Sequence, residues 1–256
     1  MIRTGLKIPF ILGNLALARV GAEVLRVWGK GGAARKFELA ILFNPYLWFI
    51  AAAWGMFDVW IAVMVLACIY FVEKGMDDKA AIALGIGSLV KIFPIFLGPA
   101  FAAYIWMNRS SGWRAAARFT AISAGTFILV CLPFYIQSPW GLANQLLLMH
   151  MQRPAQGLSF YAAFGELRNT GQTGSEITHA LLSIIPPFVV NNFPMAGMLS
   201  IVAVSAITTS RAKSTMQLSS ILVAVILGVC IANKVLNEQY LCLPVALMAL
   251  CASGGD

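Results

Sequence analysis

Residues 80–107, AAIALGIGSLVKIFPIFLGPAFAAYIWM, carry one charged residue, Lys91, in the middle of an otherwise apolar sequence. A helix that crosses a bilayer needs about 20 mainly apolar residues, so this stretch is longer than one straight span requires. Lys91-Ile92-Phe93-Pro94 interrupts it, because proline lacks a backbone donor and disfavours helix at the residue before it. We therefore predict a broken helix, or a pair of short helices, within a membrane protein.

Apolar stretches of similar length occur along the rest of the chain. Six of them predict single membrane spans, at residues 7–27, 37–54, 57–73, 114–135, 216–233 and 236–253. Another stretch, 178–209, is interrupted by Pro186-Pro187 and by Asn191-Asn192-Phe193-Pro194, and we predict that it is broken like 80–107. The predicted fold class is all-α: a polytopic integral membrane protein with about eight helical segments, in one transmembrane domain over residues 1–256.

The composition supports a membrane protein and excludes several other classes. Of 256 residues, 60% are apolar and 11% are charged, whereas soluble domains carry about 25% charged residues. The net charge of +8 comes from short clusters between apolar runs, which is typical of membrane loops and not of a nucleic-acid surface. The five cysteines lie in apolar stretches without metal-ligand spacing, and the sequence has no P-loop, GxSxG or HExxH motif.

Three cationic clusters predict the orientation in the membrane. They are Arg26 with Lys30, Arg35 and Lys36; Arg109 with Arg114 and Arg118; and Arg211 with Lys213. Cytoplasmic loops are enriched in Lys and Arg, so we expect all three clusters to be cytoplasmic. Counting spans then places Trp54 to Asp58, Lys91, the Asn233 to Tyr240 turn and an interfacial loop at 136–175 on the outer face.

Lys91 is the residue whose position most strongly indicates chemistry. A lone ammonium at bilayer depth costs about 2.5–3.5 kcal/mol, so we expect it to meet an anion or water. One interpretation is a phosphate ligand held at a helix break, and the other is a side chain that snorkels to the interface. Asp58 opens an apolar helix, either as a carboxylate favoured by the helix dipole or as one that faces an outer cavity and acts as a base. Asn44-Pro45 would be a kink beside the same cavity.

Two further polar motifs are predicted to lie on the outer face. The segment His150 to Pro154 contains Arg153, whose guanidinium can hold a phosphate with two hydrogen bonds, while His150 can bond a sugar hydroxyl. Interfacial anchoring is the alternative for this segment. The turn Asn233-Lys234-Val235-Leu236-Asn237-Glu238-Gln239-Tyr240 holds many polar groups where Gly, Ser or Pro would be usual. We interpret it as a binding segment, with helix capping as the alternative.

Several of these motifs, taken in order, resemble the series of motifs found in a known protein family. They are Asn44-Pro45, Trp54-Gly55-Met56-Phe57-Asp58, Gly85, Lys91-Ile92-Phe93-Pro94, Asn233-Lys234-Val235, Glu238-Gln239-Tyr240 and Pro244. Over residues 10–250 they are similar in order and approximate spacing to the C-type (GT-C) membrane glycosyltransferases that use polyprenyl-phosphate sugars. The resemblance is to the first mannosyltransferase of GPI-anchor assembly and its prokaryotic relatives in particular.

The resemblance implies transfer of mannose or a related hexose from a polyprenyl or dolichyl phosphate to a lipid or glycan acceptor on the non-cytoplasmic face. Carried over residue by residue, it implies a site lined by Asp58, Lys91, His150, Arg153, Lys234 and Gln239. We assign Lys91 and Arg153 to the donor phosphate, where cations offset the charge of the leaving group, and take Asp58 as the candidate catalytic residue. The predicted substrate-binding set is Asn44, Lys91, His150, Arg153, Lys234, Glu238, Gln239 and Tyr240. No metal ligand is predicted, and a divalent metal stays open as a cofactor. The expected location is the plasma membrane of a prokaryote or the endoplasmic reticulum.

The N-terminal region departs from the resembled pattern. Family members begin with an additional helix and an outer loop that carries the catalytic acidic residue, whereas no acidic residue precedes Glu23 here and Asn14 stands where an aspartate is expected. The expectation is a shortened chain that is inactive by itself, or a base elsewhere, for which Asp58 is the best candidate. Two other functions stay open: a small transporter or flippase of lipid-linked sugar, and a noncatalytic subunit beside a complete glycosyltransferase.

Overall fold

The structure, a computed structural model, describes residues 7–144, 156–157, 187–233 and 235–255. Nearly all of these residues are helical, which confirms the all-α fold class. The α-helices are α1 (Ile8–Val27), α2 (Gly31–Leu42), α3 (Pro45–Trp48), α4 (Asp58–Glu73), α5 (Asp77–Val90), α6 (Gly98–Asn108), α7 (Trp113–Gln137), α8 (Pro139–Ala143), α9 (Pro187–Thr209), α10 (Thr215–Ala232) and α11 (Cys242–Gly254). A π-helix covers Phe49–Trp54, two 3-10 helices cover Phe93–Leu97 and Glu238–Leu241, and strand β1 (Gln156–Gly157) pairs in parallel with β2 (Val235–Leu236), with Gln156 opposite Val235.

Three of the described helices, α1, α7 and α10, are long and apolar enough to cross a membrane. They correspond to the predicted spans 7–27, 114–135 and 216–233. A fourth membrane span is present if α2 and the segment Pro45–Trp54 are counted as one span, with a bend of 48° between them. The predicted span 57–73 corresponds to α4, which has only 16 residues. Three or four helices in the described part of the chain meet this criterion, and the predicted count of six spans is not confirmed.

Local hydrogen bonding explains why the predicted span at 37–54 is bent and not straight. The side-chain oxygen of Asn44 accepts hydrogen bonds from the backbone N–H groups of Tyr46 and Leu47, at 3.0 and 3.1 Å. Pro45 occupies the first turn, where its missing N–H costs nothing. A new helix therefore begins at this point, and the predicted kink at Asn44-Pro45 is confirmed. The span predicted at 236–253 corresponds to the apolar segment Glu238–Gly254, a 3-10 helix followed by α11, which is shorter than a full span.

The two stretches predicted to be broken behave differently. Residues 80–107 are broken as predicted: α5 ends at Val90, Lys91 has extended backbone, and a 3-10 helix leads into α6. In 178–209, by contrast, α9 begins at Pro187 and runs without a break through Pro194. The break predicted at Asn191-Asn192-Phe193-Pro194 is therefore wrong, while the one predicted at Pro186-Pro187 is not tested, because residues 178–186 are not described. A proline inside a helix removes one backbone bond, and membrane helices tolerate this loss. Residues 178–186, and most of the predicted loop 136–175, lie outside the described residues.

Helix α4 lies at the centre of the packing and positions the site. It is apolar on all sides after its first residue, which is the pattern of a buried helix, and Val59, Leu66 and Ile69 are fully buried. It packs against α1, α5 and α11. On its far side from α5, α1 and α2 approach closely at Gly21, where an added Cβ would come within 2.1 Å of the ring of Phe37.

The helices bring polar groups together at two ends of the bundle. At one end, which we call the basic end, Trp28 donates to Thr215 at 2.7 Å, Thr215 donates to Glu73, and Arg109 pairs with Asp77 at 2.9 Å. The loops that hold the three cationic clusters join helices at this end. At the other end, which we call the site end, Asp58, Lys91 and Tyr240 meet. That the basic end faces the cytoplasm stays a prediction.

Candidate active site

The end of the π-helix that precedes α4 places Asp58 at the site end. The π-helix Phe49–Trp54 ends at Gly55, whose φ of 76° is in the left-handed region that favours glycine. The chain turns there, and Asp58 becomes the first residue of α4. Its residue is only 6% exposed, and its carboxylate lies at the helix N-terminus, where the dipole favours negative charge.

Lys91 reaches the same place from the opposite direction. It follows the last residue of α5, and its extended backbone, at φ −161° and ψ 143°, turns the side chain away from the helix. Its Nζ lies 2.6 Å from Oδ1 of Asp58, and the two side chains are 23% and 8% exposed. The anion expected beside this ammonium is therefore supplied by the protein itself. The carboxylate and the ammonium form a largely buried ion pair.

Tyr240 covers the ion pair. The Nζ of Lys91 lies 3.7 Å from the centroid of the Tyr240 ring, a cation–π contact, and the same ring lies 4.8 Å from that of Phe93. Phe93 comes from the helix break just after Lys91, and Tyr240 comes from the 3-10 helix before α11. The break in 80–107 and the polar turn before α11 therefore form one structure.

A small cleft joins these groups. It is lined by Asp58, Ile61, Lys91, Phe93, Ile226, Gln239, Tyr240 and Leu243. Its volume is about 10 Å³, close to the minimum that holds one water molecule. The described residues thus supply a carboxylate, an ammonium, an amide and aromatic rings around one point. They offer a base, a cation for a phosphate and hydrogen-bonding groups for a hydroxyl.

Tyr46 supports the turn that carries Gln239 and Tyr240, and the sequence analysis missed it. Its hydroxyl donates to the backbone carbonyl of Glu238 at 2.5 Å and accepts from the thiol of Cys242 at 3.8 Å. Asn44 places Tyr46 by capping α3, as described above. The signal was available, since Tyr46 follows directly on the Asn44-Pro45 motif, but nothing local in the sequence shows that it reaches a residue nearly two hundred positions away.

The structure brings together four of the predicted site residues: Asp58, Lys91, Gln239 and Tyr240 line the cleft. Asn44 and Glu238 do not line it, since Asn44 acts as a helix cap and the side chain of Glu238 is exposed. Asn14, at the position where an aspartate is expected, is fully buried in α1 and donates to the carbonyl of Leu47 at 3.4 Å. It is not part of the cleft lining either.

The remaining predicted residues, His150, Arg153 and Lys234, lie outside the described residues. The backbone pairing of β1 with β2 nevertheless joins two predicted segments. β1 follows the His150 to Pro154 motif in sequence, and β2 belongs to the Asn233 to Tyr240 turn. The apolar lining residues Ile61, Ile226 and Leu243 were not predicted, because nothing distinguishes them from other apolar residues in their helices.

Within the described part of the chain, no group of three or more His, Cys, Asp or Glu side chains could hold a metal ion. Asp58 is the one carboxylate among the residues that line the cleft. The divalent metal left open as a cofactor therefore stays an untested prediction.

Comparison with known families finds a match over most of the chain. Residues 51–254 match the family model described as Mannosyltransferase (PIG-M). The matched region covers most of the chain and includes Asp58, Lys91, Gln239 and Tyr240, while α1 and Asn44 precede it. The match confirms the resemblance inferred from the motifs, and with the apolar helices it indicates a membrane protein. The chain therefore belongs to the mannosyltransferase (PIG-M) family of glycosyltransferases.

Proposed function

We propose that this protein transfers a mannosyl group from a polyprenyl-phosphate carrier to a hydroxyl of a lipid or glycan acceptor, with Asp58 and Lys91 at the reacting centre. The observation that carries the proposal is the 2.6 Å contact between Nζ of Lys91 and Oδ1 of Asp58, beside Gln239 and Tyr240 in one cleft. A transfer of this kind needs a base for the acceptor and a positive charge for the leaving phosphate. Both groups are present there.

The transfer follows from these two groups. The acceptor oxygen attacks C1 of the mannosyl group, its proton passes to the carboxylate of Asp58, and the bond between C1 and the phosphate oxygen breaks. The electron pair of that bond stays on the polyprenyl phosphate, where Lys91 offsets the new negative charge. When Asp58 takes up the proton, it loses its negative charge, and its ion pair with the ammonium of Lys91 is broken. Lys91 is then free to bind the leaving phosphate.

A groove next to Lys91 supports a lipid carrier for the donor. It has a volume of about 480 Å³, and its walls come from α5, α6, α7 and the 3-10 helix between α5 and α6. None of the described residues that line it is charged. Of its polar residues, Ser88 and Thr120 already donate to the carbonyls of Leu84 and Ala116, both at 2.9 Å. The groove therefore suits an apolar chain better than a sugar.

The groove and the cleft are lined by residues of the same segment of the chain. Ser88, near the end of α5, lines the groove, and Lys91, three residues later, lines the cleft. The 3-10 helix lies between the two spaces, since its Phe93 lines the cleft and its Ile95 lines the groove. A polyprenyl chain in the groove would place its phosphate at Lys91.

We further propose that transfer occurs on the non-cytoplasmic face. The cleft lies at the site end, and the cationic clusters lie at the opposite end, which the distribution of Lys and Arg assigns to the cytoplasm. The membrane involved, a prokaryotic plasma membrane or the endoplasmic reticulum, and the possible partner subunit stay predictions.

The experiment that tests the proposal is incubation of the purified full chain with radiolabelled polyprenyl-phosphate mannose and a membrane lipid extract. A labelled product is expected, and Asp58→Asn should lower its rate by about 10²–10⁴-fold, the usual contribution of a general base. Glu38→Gln is the matched control, because it makes the same acid-to-amide change at a partly exposed ion pair far from the cleft. Equal rates for Asp58→Asn and the control would contradict the role of Asp58. Movement of the label across the bilayer without a new product would indicate a transporter instead.

The place of the carrier chain can be tested separately. Ala124 lines the groove, whereas Ala121 is an exposed alanine of the same helix that does not. Ala124→Trp should raise the KM for polyprenyl-phosphate mannose, because the indole fills the groove, and Ala121→Trp should leave it unchanged. Equal KM values for the two variants would remove the groove from the proposal.

A further inference from the structure

A third cavity, besides the cleft and the groove, lies at the basic end. It has a volume of about 520 Å³ and is formed where the turn into α5 faces the start of α7. Its charged lining residues are Asp77, Asp78 and Lys79 from α5, and Arg114 and Arg118 from α7. Nothing in the proposed transfer uses it.

The two carboxylates of this cavity are already neutralised. Asp77 accepts two hydrogen bonds from Arg109, from Nε to Oδ2 and from Nη2 to Oδ1, both at 2.9 Å. Asp78 accepts one from Arg118 at 2.6 Å. Each aspartate thus has its own arginine as counter-ion. The remaining charges of the cavity are positive.

Arg114 and Lys79 carry that remaining charge. Both are exposed, and among the described residues neither lies within ion-pair distance of a carboxylate. Their contacts are with aromatic rings: Arg114 Cζ lies 5.8 Å from the ring centroid of Trp113, and Lys79 Nζ lies 6.0 Å from that of Phe71. An anion in the cavity would therefore meet two unneutralised cations without displacing a carboxylate.

The surroundings indicate that this anion belongs to a lipid. Trp106 and Trp113 are exposed on either side of the α6–α7 turn, by 57% and 61%, and exposed tryptophans are enriched at the membrane–water boundary. Helix α7 is one of the helices able to span a membrane, and only 6% of its apolar window is buried. An acyl chain of the lipid could lie along the exposed surface of α7, while the headgroup of the same lipid occupies the cavity at the first turns of α7.

We propose that the cavity between α5 and α7 binds the phosphate of an anionic phospholipid headgroup, through Arg114 and Lys79. An arginine can hold a phosphate with two parallel hydrogen bonds, and a lysine adds a point charge. The site does not depend on the proposed transfer. It tethers the basic end of the protein to lipids with a negatively charged headgroup.

The test uses the purified full chain in neutral detergent, with phosphatidylglycerol or phosphatidylcholine added and bound lipid measured by native mass spectrometry. Phosphatidylglycerol is expected to bind more tightly. Combining Lys79→Gln with Arg114→Gln should weaken it about 30-fold, since each cation near an anionic lipid surface contributes about a factor of five, and phosphatidylcholine binding should not change. Combining Arg211→Gln with Lys213→Gln removes the same charge at the same end but outside the cavity, and should leave phosphatidylglycerol binding unchanged.

Equal weakening by the two double variants, or none by either, would overturn the proposal. Inorganic phosphate and glycerophosphate are added as competitors at millimolar concentration. Failure to displace the lipid supports a site that needs the headgroup and the chain together, and full displacement would show a site for free phosphate instead. Thermal unfolding of each variant checks folding, and an Arg114→Lys variant, which keeps the charge, should retain most of the phosphatidylglycerol binding.

Discussion

The two ends of the bundle use ion pairs in different ways. At the basic end, Arg109 holds Asp77 through two hydrogen bonds and also donates to the carbonyl of Val72. The bond to Asp77 raises the pKa of Arg109, so the guanidinium keeps its charge at all ordinary pH. At the site end, Lys91 bonds Asp58 through a single contact and otherwise faces the Tyr240 ring. The guanidinium of Arg109 uses its hydrogen-bond donors on Asp77 and Val72, so it holds these parts of the fold together. The ammonium of Lys91 has three donors on a rotatable side chain and can exchange one anion for another.

This difference teaches where to look for chemistry in a protein of this composition. Charged residues are rare here, and both ends contain an aspartate paired with a cation. The pair to which we assign a chemical role lies at a helix break, is covered by an aromatic ring and faces a cleft. The pair of Arg109 with Asp77 joins the start of α5 to the end of α6, and we assign it a structural role.

Among variants that compare the two ends, the largest effect is expected from removing the ammonium of Lys91. Lys91→Met should lower the rate of mannosyl transfer by about 10²–10³-fold, the usual loss when a group that stabilises developing charge is removed. The same substitution at Lys36, an exposed residue of the basic end, should leave the rate unchanged. The measurement is the rate with radiolabelled polyprenyl-phosphate mannose, at equal amounts of folded protein. A normal rate for Lys91→Met would mean that the site-end pair is structural, like those at the basic end.

A smaller effect, on stability alone, is expected from the basic end. Thr215 is 1% exposed, donates to Glu73 and accepts from Trp28. Thr215→Val keeps the shape but leaves both partners without this bond, which should cost about 1–3 kcal/mol of unfolding free energy. The transfer rate per folded molecule should be unaffected. Thermal unfolding and turnover of the same preparation check both parts, and a loss of turnover at full stability would show that the two ends are coupled.

The smallest expected effect comes from Tyr46, which positions the turn without lining the cleft. Tyr46→Phe removes its hydrogen bond to Glu238, a contribution of about 1 kcal/mol, and should lower kcat about fivefold with little change in the KM for the donor. The control is Tyr70→Phe, since Tyr70 packs on Phe71 and makes no hydrogen bond through its hydroxyl among the described residues. If both variants have normal kcat, the turn does not need Tyr46 to hold Gln239 and Tyr240.

Much of this fold could be predicted from hydropathy and proline. The helix at Trp113–Gln137 differs by only a few residues from the predicted span, and the break at Lys91-Ile92-Phe93-Pro94 is where proline predicts it. The errors have physical causes. Apolar composition alone does not show that Asn44 caps a new helix, and proline at 194 does not end α9, because a membrane helix tolerates one missing backbone bond.

The candidate site was predictable in part and for a different reason. Asp58 and Lys91 are charged residues in apolar stretches, and charged residues are costly in a membrane unless they serve a purpose. Gln239 and Tyr240 belong to a turn that is unusually polar for its place between two apolar stretches. Each of these residues can therefore be recognised as unusual from its local sequence alone. Their arrangement cannot be recognised in this way, because Asp58 and Lys91 are 33 positions apart and Tyr46 and Glu238 are 192 apart.

Membrane residence, the helical class and the identity of the polar residues were thus set by the order of amino acids, since each depends on the transfer of nearby side chains between water and lipid. The pairing of Lys91 with Asp58, the cover provided by Tyr240 and the support from Tyr46 were decided only when α4, α5 and α11 packed together. A hydrogen bond or ion pair acts over a few ångströms. Only the folded chain brings residues so far apart in sequence within that distance.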